Sequence, residues 1–154
     1  MLAQHERQML KAIALANKVP EFPFGAVIVD RNSQVIVAEG YNQSTLNPTF
    51  HGEMVAINNC AAQLHPVDWS QFDLYTTAEP CAMCQGAIAW AGIANVYYGT
   101  SIAFLQEQQW WQIDIRAEEL VKRTPFRATQ VFGGILTEQC NALFTQAKRG
   151  MFHQ

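Results

Sequence analysis

The stretch DLYTTAEPCAMCQGAIAWAGIANVYYGT (Asp73–Thr100) decides the fold. Its opening, Asp73–Glu79, is rich in β-branched and aromatic residues and reads as a strand. A helix then opens at Pro80, where a missing N–H costs nothing. Asn95–Thr100 is the next strand. Strand, helix and strand in so short a stretch predict two parallel neighbours joined by a right-handed crossover. Toward the N-terminus, FGAVIVD (Phe24–Asp30) and VIVAEGY (Val35–Tyr41) flank Arg31-Asn32-Ser33-Gln34, a hairpin pattern. Met9, Ile13 and Ala16 repeat at helical spacing in the first segment. Met54, Ile57, Ala61 and Leu64 mark a second helix, starting near Pro48-Thr49. Toward the C-terminus, Ser101–Arg127 is less regular, with short helical pieces at Ala103–Gln108 and Ala117–Lys122. Thr129–Ile135 reads as the last strand, and Leu136, Cys140, Leu143, Phe144 and Ala147 give a closing helix. The alternation predicts an α/β fold, one mixed sheet covered by helices on both faces, in a single domain spanning 1–154.

Composition bounds the function. The 154 residues are 49% hydrophobic and 15% charged, an ordinary globular profile with enough chain for a core without disulfides. No run approaches the roughly 20 apolar residues of a membrane span, and the first residues read as an amphipathic helix rather than a signal peptide. The cytoplasm is the expected location. A net charge of −3 weakens nucleic-acid partners, whose phosphates call for a basic patch, without removing them. The basic residues that cluster are Lys122-Arg123, Arg127 and Lys148-Arg149.

Chemistry concentrates in His51-Gly52-Glu53 and Pro80-Cys81-Ala82-Met83-Cys84. With a helix beginning at Pro80, Cys81 and Cys84 share one face. Both lie in the first turn, where unpaired N–H groups and the helix dipole favour thiolates, the form that binds zinc. Taken alone, a C-x-x-C pair is as readily structural or redox-active. His51, also in a first turn, is the candidate third ligand. A His-Cys-Cys set leaves a fourth position open, the pattern of catalytic rather than structural zinc. Water there has its pKa lowered from 15.7 toward about 7. Glu53, two residues past the ligand, can move protons. Cys60 and Cys140 sit singly in apolar helical stretches and read as small hydrophobes. His5, His65 and His153 have no partner spacing and read as surface residues.

The ordered combination H-x-E…P-C-x-x-C is the signature of zinc nucleobase deaminases. PFGAVIV, EGYN, NPTFHGEMVAI, YTTAEPCAMCQGAIAW and VYYGT resemble the cytidine deaminase-like superfamily, nearest its guanine deaminase and tRNA adenosine deaminase branches. The resemblance implies a three-layer α/β/α fold with a five-stranded mixed sheet, one Zn2+, and a homodimer or larger oligomer. It also implies base or sugar contacts from Asn42, whose alternative role is a turn residue. Phe24 and Trp90 match aromatic pocket positions of the guanine deaminase branch, with core packing as the alternative. This chain departs from the family at Gly52, usually Ala with a backbone that meets substrate, and at Phe50, also usually Ala. In the segment Phe104–Ile115, Gln112 and Asp114 are candidate purine contacts. Trp110-Trp111 reads as a lid or interface, since two adjacent Trp residues cannot both face one core.

The expected function is hydrolytic deamination of a free purine base or nucleoside, guanine first. A tRNA wobble-adenosine deaminase is the enzymatic alternative, and a zinc-stabilised binding module is the alternative outside enzymes.

Overall fold

A computed structural model describes residues 2–65 and 67–147. Helix α1 (Leu2–Ala16) leads into a hairpin of β1 (Gly25–Asp30) and β2 (Ile36–Tyr41). The Asp30 carboxylate closes the hairpin by accepting from the Asn32 and Ser33 main-chain N–H groups, each at 2.9 Å. Helix α2 (Gly52–Gln63) follows, then β3 (Phe72–Ala78), α3 (Ala82–Ala91) and β4 (Asn95–Thr100). The chain continues through α4 (Ile102–Glu107), α5 (Ala117–Lys122), β5 (Gln130–Phe132) and α6 (Thr137–Gln146). The five strands form one mixed sheet in the order β2-β1-β3-β4-β5. β1 is antiparallel to β2 and β3, while β3–β4 and β4–β5 are parallel, as the crossover predicts.

Strand pleating sorts the core into two layers. Ala26, Ile28, Leu74 and Val96 face Ala56 and Cys60 of α2 and Ile88 of α3. On the other face, Val27, Val29 and Tyr75 meet Leu15 of α1, and Met9 and Ala12 of α1 pack with Cys140 of α6. β3 is buried along its whole length, which is why it reads as a continuous run rather than an alternation.

Element ends differ from the sequence expectation by one to a few residues. α2 begins at Gly52 rather than near Pro48-Thr49, because the Asn47 side chain ties Thr49 into a local turn at 2.9 Å. α3 begins at Ala82, two residues after Pro80, with Cys81 at its N-cap. β5 is shorter than Thr129–Ile135 because Gly133-Gly134 ends it, Gly134 at φ 88°. His5 corrects the surface expectation. Its Nδ1 lies 2.7 Å from the Tyr75 hydroxyl and its ring stacks on Tyr97 with centroids 4.3 Å apart. His65 is exposed, whereas His153 and Lys148-Arg149 lie outside the described residues. Trp110-Trp111 splits. Trp110 is buried edge-on against Phe24 and Phe144, and Trp111 faces outward. Cys60 and Cys140 are fully buried, as small hydrophobes are.

Candidate metal centre and active site

The carboxyl end of β3 and the starts of α2 and α3 meet on one face of the sheet. His51 stands at the N-cap of α2 and Cys81 at the N-cap of α3, both in extended backbone, so each presents its side chain where the helix N–H groups are unpaired. Close approach makes this possible. A Cβ on Gly40 of β2 would lie 2.3 Å from the Gly52 carbonyl oxygen and 2.4 Å from the Ala56 nitrogen, so only glycine lets α2 sit this near the sheet.

His51 Nδ1 is 3.5 Å from Cys81 Sγ and 3.7 Å from Cys84 Sγ. The three ligand atoms lie within 4.8 Å of one another and can hold a metal ion. The donor set, one imidazole nitrogen and two sulfurs, suits zinc, and no other such group occurs among the described residues. Protonation follows the geometry. A hydrogen bond from the Cys84 thiol, opposed by burial and joined by His51, brings Cys81 down to about 4. Cys84 is pushed well up by that same bond, by burial and by the nearby Glu53 charge. Burial works against charge on His51, yet the Cys81 hydrogen bond and charge outweigh it and raise its pKa. Cys81 is thus held as a thiolate beside His51, and a cation bound there would displace the protons that remain on the other ligands.

Glu53, in the first turn of α2, is 3% exposed. Burial raises its pKa, and a hydrogen bond from the Thr76 hydroxyl at 2.5 Å opposes the rise. Asn42, Gly52 and Phe24 gather around one carbonyl. The Asn42 main-chain N–H donates to the Phe24 oxygen at 3.0 Å, and a Cβ on Gly52 would lie 2.9 Å from the same oxygen. The Asn42 side chain does two things at once. Its Oδ1 accepts from Ser44, the turn role, while its Nδ2 is buried with no partner. The Phe24 ring packs in the core against Trp110 and Phe144.

Two expected contacts are exposed. Trp90 is 75% exposed and rests on Phe126 with centroids 4.7 Å apart. The Asp114 carboxylate is exposed and engages Gln106 at 3.0 Å and Arg116 at 3.1 Å. Gln112 is half-buried. The sequence reading passed over Thr76 and Glu79. The available signal was polar residues at the carboxyl end of a buried strand, where α/β sheets place their sites.

A sheet of this order with a His-Cys-Cys cluster and a buried carboxylate beside it defines a zinc-dependent deaminase of the cytidine deaminase-like class. Residues 2–100 match the family model for the cytidine and deoxycytidylate deaminase zinc-binding region, and the chain belongs to that family. A tRNA-specific adenosine deaminase of Rickettsia bellii is 32% identical over 86% of this chain and 89% of its own. A guanine deaminase of Bacillus subtilis is 41% identical over 61% of this chain and 63% of its own. The solved structure of a guanine deaminase from Nitrosomonas europaea superposes with a TM-score of 0.80 at 25% identity, covering 90% of this chain and 81% of that one.

Proposed function

We propose that this chain hydrolytically deaminates a free purine base, guanine first, giving xanthine and ammonia. His51, Cys81 and Cys84 hold the zinc, and Glu53 moves the protons. The observation that carries this reading is the buried Glu53 carboxylate set beside a three-ligand cluster, a proton carrier no structural zinc site needs. A zinc ion bound by these residues would supply Lewis acidity that lowers the pKa of water. Glu53 takes a proton from the attacking water and delivers it to the ring nitrogen. It then carries the adduct's hydroxyl proton to the amino group, which leaves as ammonia. The unpartnered Nδ2 of Asn42 donates to an acceptor on the ring, and the main chain at Gly52 lies along the base. The net charge of −3 favours a substrate without phosphates.

The exposed Trp90–Phe126 pair offers an apolar patch for a homodimer in the cytoplasm, the assembly this reading includes. A second reading, deamination of wobble adenosine in tRNA, draws support from the Rickettsia relative, which matches over more of the chain than the Bacillus guanine deaminase does. The deciding experiment measures ammonia from guanine and guanosine against inosine in an anticodon stem-loop. Inosine in the stem-loop with no ammonia from purines moves the assignment to tRNA.

A further inference from the structure

The Thr76 hydroxyl has one proton and two oxygens to give it to. Its Oγ1 lies 2.5 Å from Oε1 of Glu53 and 3.1 Å from the main-chain oxygen of Ala78. Thr76 is fully buried and Glu53 nearly so, which leaves bulk water no part in the exchange. Thr76 also projects from β3 on the face that carries α2 and α3, the same side as the cluster. From this geometry we propose that Thr76 is the positioning residue of the proton shuttle. Its hydroxyl pins Oε1, so that protons enter and leave through Oε2, and it shares its hydrogen bond with the Ala78 carbonyl while Glu53 is a neutral acid. The inference rests on Glu53 being the shuttle, as set out above.

Each step balances. An O–H bond of the attacking water breaks as an Oε2–H bond forms, and the water oxygen bonds to the amidine carbon. The Oε2–H bond then breaks as the ring nitrogen gains the proton. In the second half, Oε2 takes the adduct's hydroxyl proton and gives it to the amino group. The C–N bond breaks, C=O forms and ammonia leaves.

At the start and end Glu53 is a carboxylate, and a hydrogen bond to an ionised oxygen is about twice as strong as a neutral one. Without it, the buried carboxylate would lose its hydroxyl donor and keep only its hydrogen bond with Cys84. Midway, Oε1 is an ordinary carbonyl and a weaker acceptor. Ala78 O then offers the hydroxyl a second place, so neither protonation state is trapped. Thr76 acts through Glu53 and need not touch the substrate.

The test compares Thr76→Val, nearly isosteric but without the hydroxyl, with Thr76→Ser, which keeps it. Val should retain full zinc and an unchanged KM while kcat falls about 10- to 100-fold, the loss expected for one hydrogen bond to a charged group. Ser should restore kcat to within a few-fold of wild type. The assay is run on guanine and on the adenosine stem-loop. Silence on both in the wild-type protein counts against the proposed function alone. Independently of substrate, crystal structures of the zinc-loaded variants should show the Glu53 carboxylate turned from its wild-type orientation in Val and kept in Ser. Wild-type kcat in Val, a Ser variant as slow as Val, or a Glu53 carboxylate unmoved in Val overturns the inference.

Discussion

The Ala117 main-chain N–H donates to Oε2 of Glu79 at 2.8 Å, and the other oxygen of that carboxylate takes the Ile102 N–H at 2.9 Å. One buried side chain thereby caps the starts of both α4 and α5. Its own main chain is tied to Thr100 at 2.7 Å, and Pro80-Cys81 follows directly. The irregular segment after β4 is therefore fastened to the turn that carries a metal ligand. Glutamine at 79 must point its NH2 at one of two N–H groups, leaving a buried donor unmatched. Glu79→Gln should cost about 1–3 kcal/mol of stability. It should also loosen residues 101–122 in amide exchange of the zinc-loaded protein. A wild-type urea midpoint with wild-type protection across that segment would refute the capping role.

Glu53→Gln separates metal binding from proton transfer. The substitution leaves His51, Cys81 and Cys84 in place, so zinc content should stay at one per chain while turnover falls about 10²–10⁴-fold. Stability gives a second readout. Burial raises the Glu53 pKa above its unfolded value, so the folded state holds this proton more tightly. The contribution is full below the ordinary carboxylate pKa and is lost as pH rises through the folded value. Metal-free Glu53→Gln, which has no proton to lose, should therefore gain in Tm over metal-free wild type at pH 7–8. The gap should close toward pH 4. A gap that widens on acidification has the wrong sign for a buried carboxyl.

Chelation should expose one reactive thiol. With Cys81 held at about 4, the metal-free protein carries a thiolate far below the pH at which ordinary thiols ionise. Burial pushes Cys60 to about 11 and Cys140 to about 12, and Cys84 stands well above its usual value. Iodoacetamide at pH 6 should label Cys81 alone, and added zinc should protect it. Mass spectrometry that finds Cys60 or Cys140 labelled first, or no protection by zinc, would contradict this protonation pattern.

The sheet and the metal cluster were legible because each has a local signature. Buried strands announce themselves as β-branched runs, and a ligand set constrains its own spacing, so His51, Cys81 and Cys84 could be paired before their distances were known. Contacts set by packing between distant segments were not legible. Nothing local marks Thr76 as the partner of Glu53 or Glu79 as a double cap, since both depend on how α2, α4 and α5 seat on the sheet. His5 looked solitary because its partners, Tyr75 and Tyr97, lie on strands far along the chain. Trp90 matched a family position, yet its ring lies on the outside of α3 against Phe126. A motif fixes where a residue falls on a helix, while neighbouring segments decide which ring is covered.

Gly52 offers the sharpest test of how this chain differs from the family pattern, which has Ala there. Gly52 is not among the residues with positive φ, so its backbone asks nothing special of glycine. What asks for glycine is space. A Cβ would lie 2.9 Å from the Phe24 carbonyl oxygen and 3.2 Å from its carbon, and main-chain atoms yield far less readily than a side-chain tip. Alanine would gain helix propensity, at most about 1 kcal/mol and less at a first helical position. Overpacking against backbone costs about 1–3 kcal/mol, so the clash should win. Relief must come from moving the start of α2 away from β1, which displaces His51 and Glu53 on either side. Gly52→Ala should therefore bind zinc more weakly and lower kcat together with the unfolding midpoint. It should also disturb the Asn42–Phe24 hydrogen bond that shares the crowded oxygen. Chelator competition, kinetics and a urea titration measure these three effects. A variant more stable than wild type with unchanged zinc affinity would show that the gap between α2 and β1 accommodates the family's alanine after all.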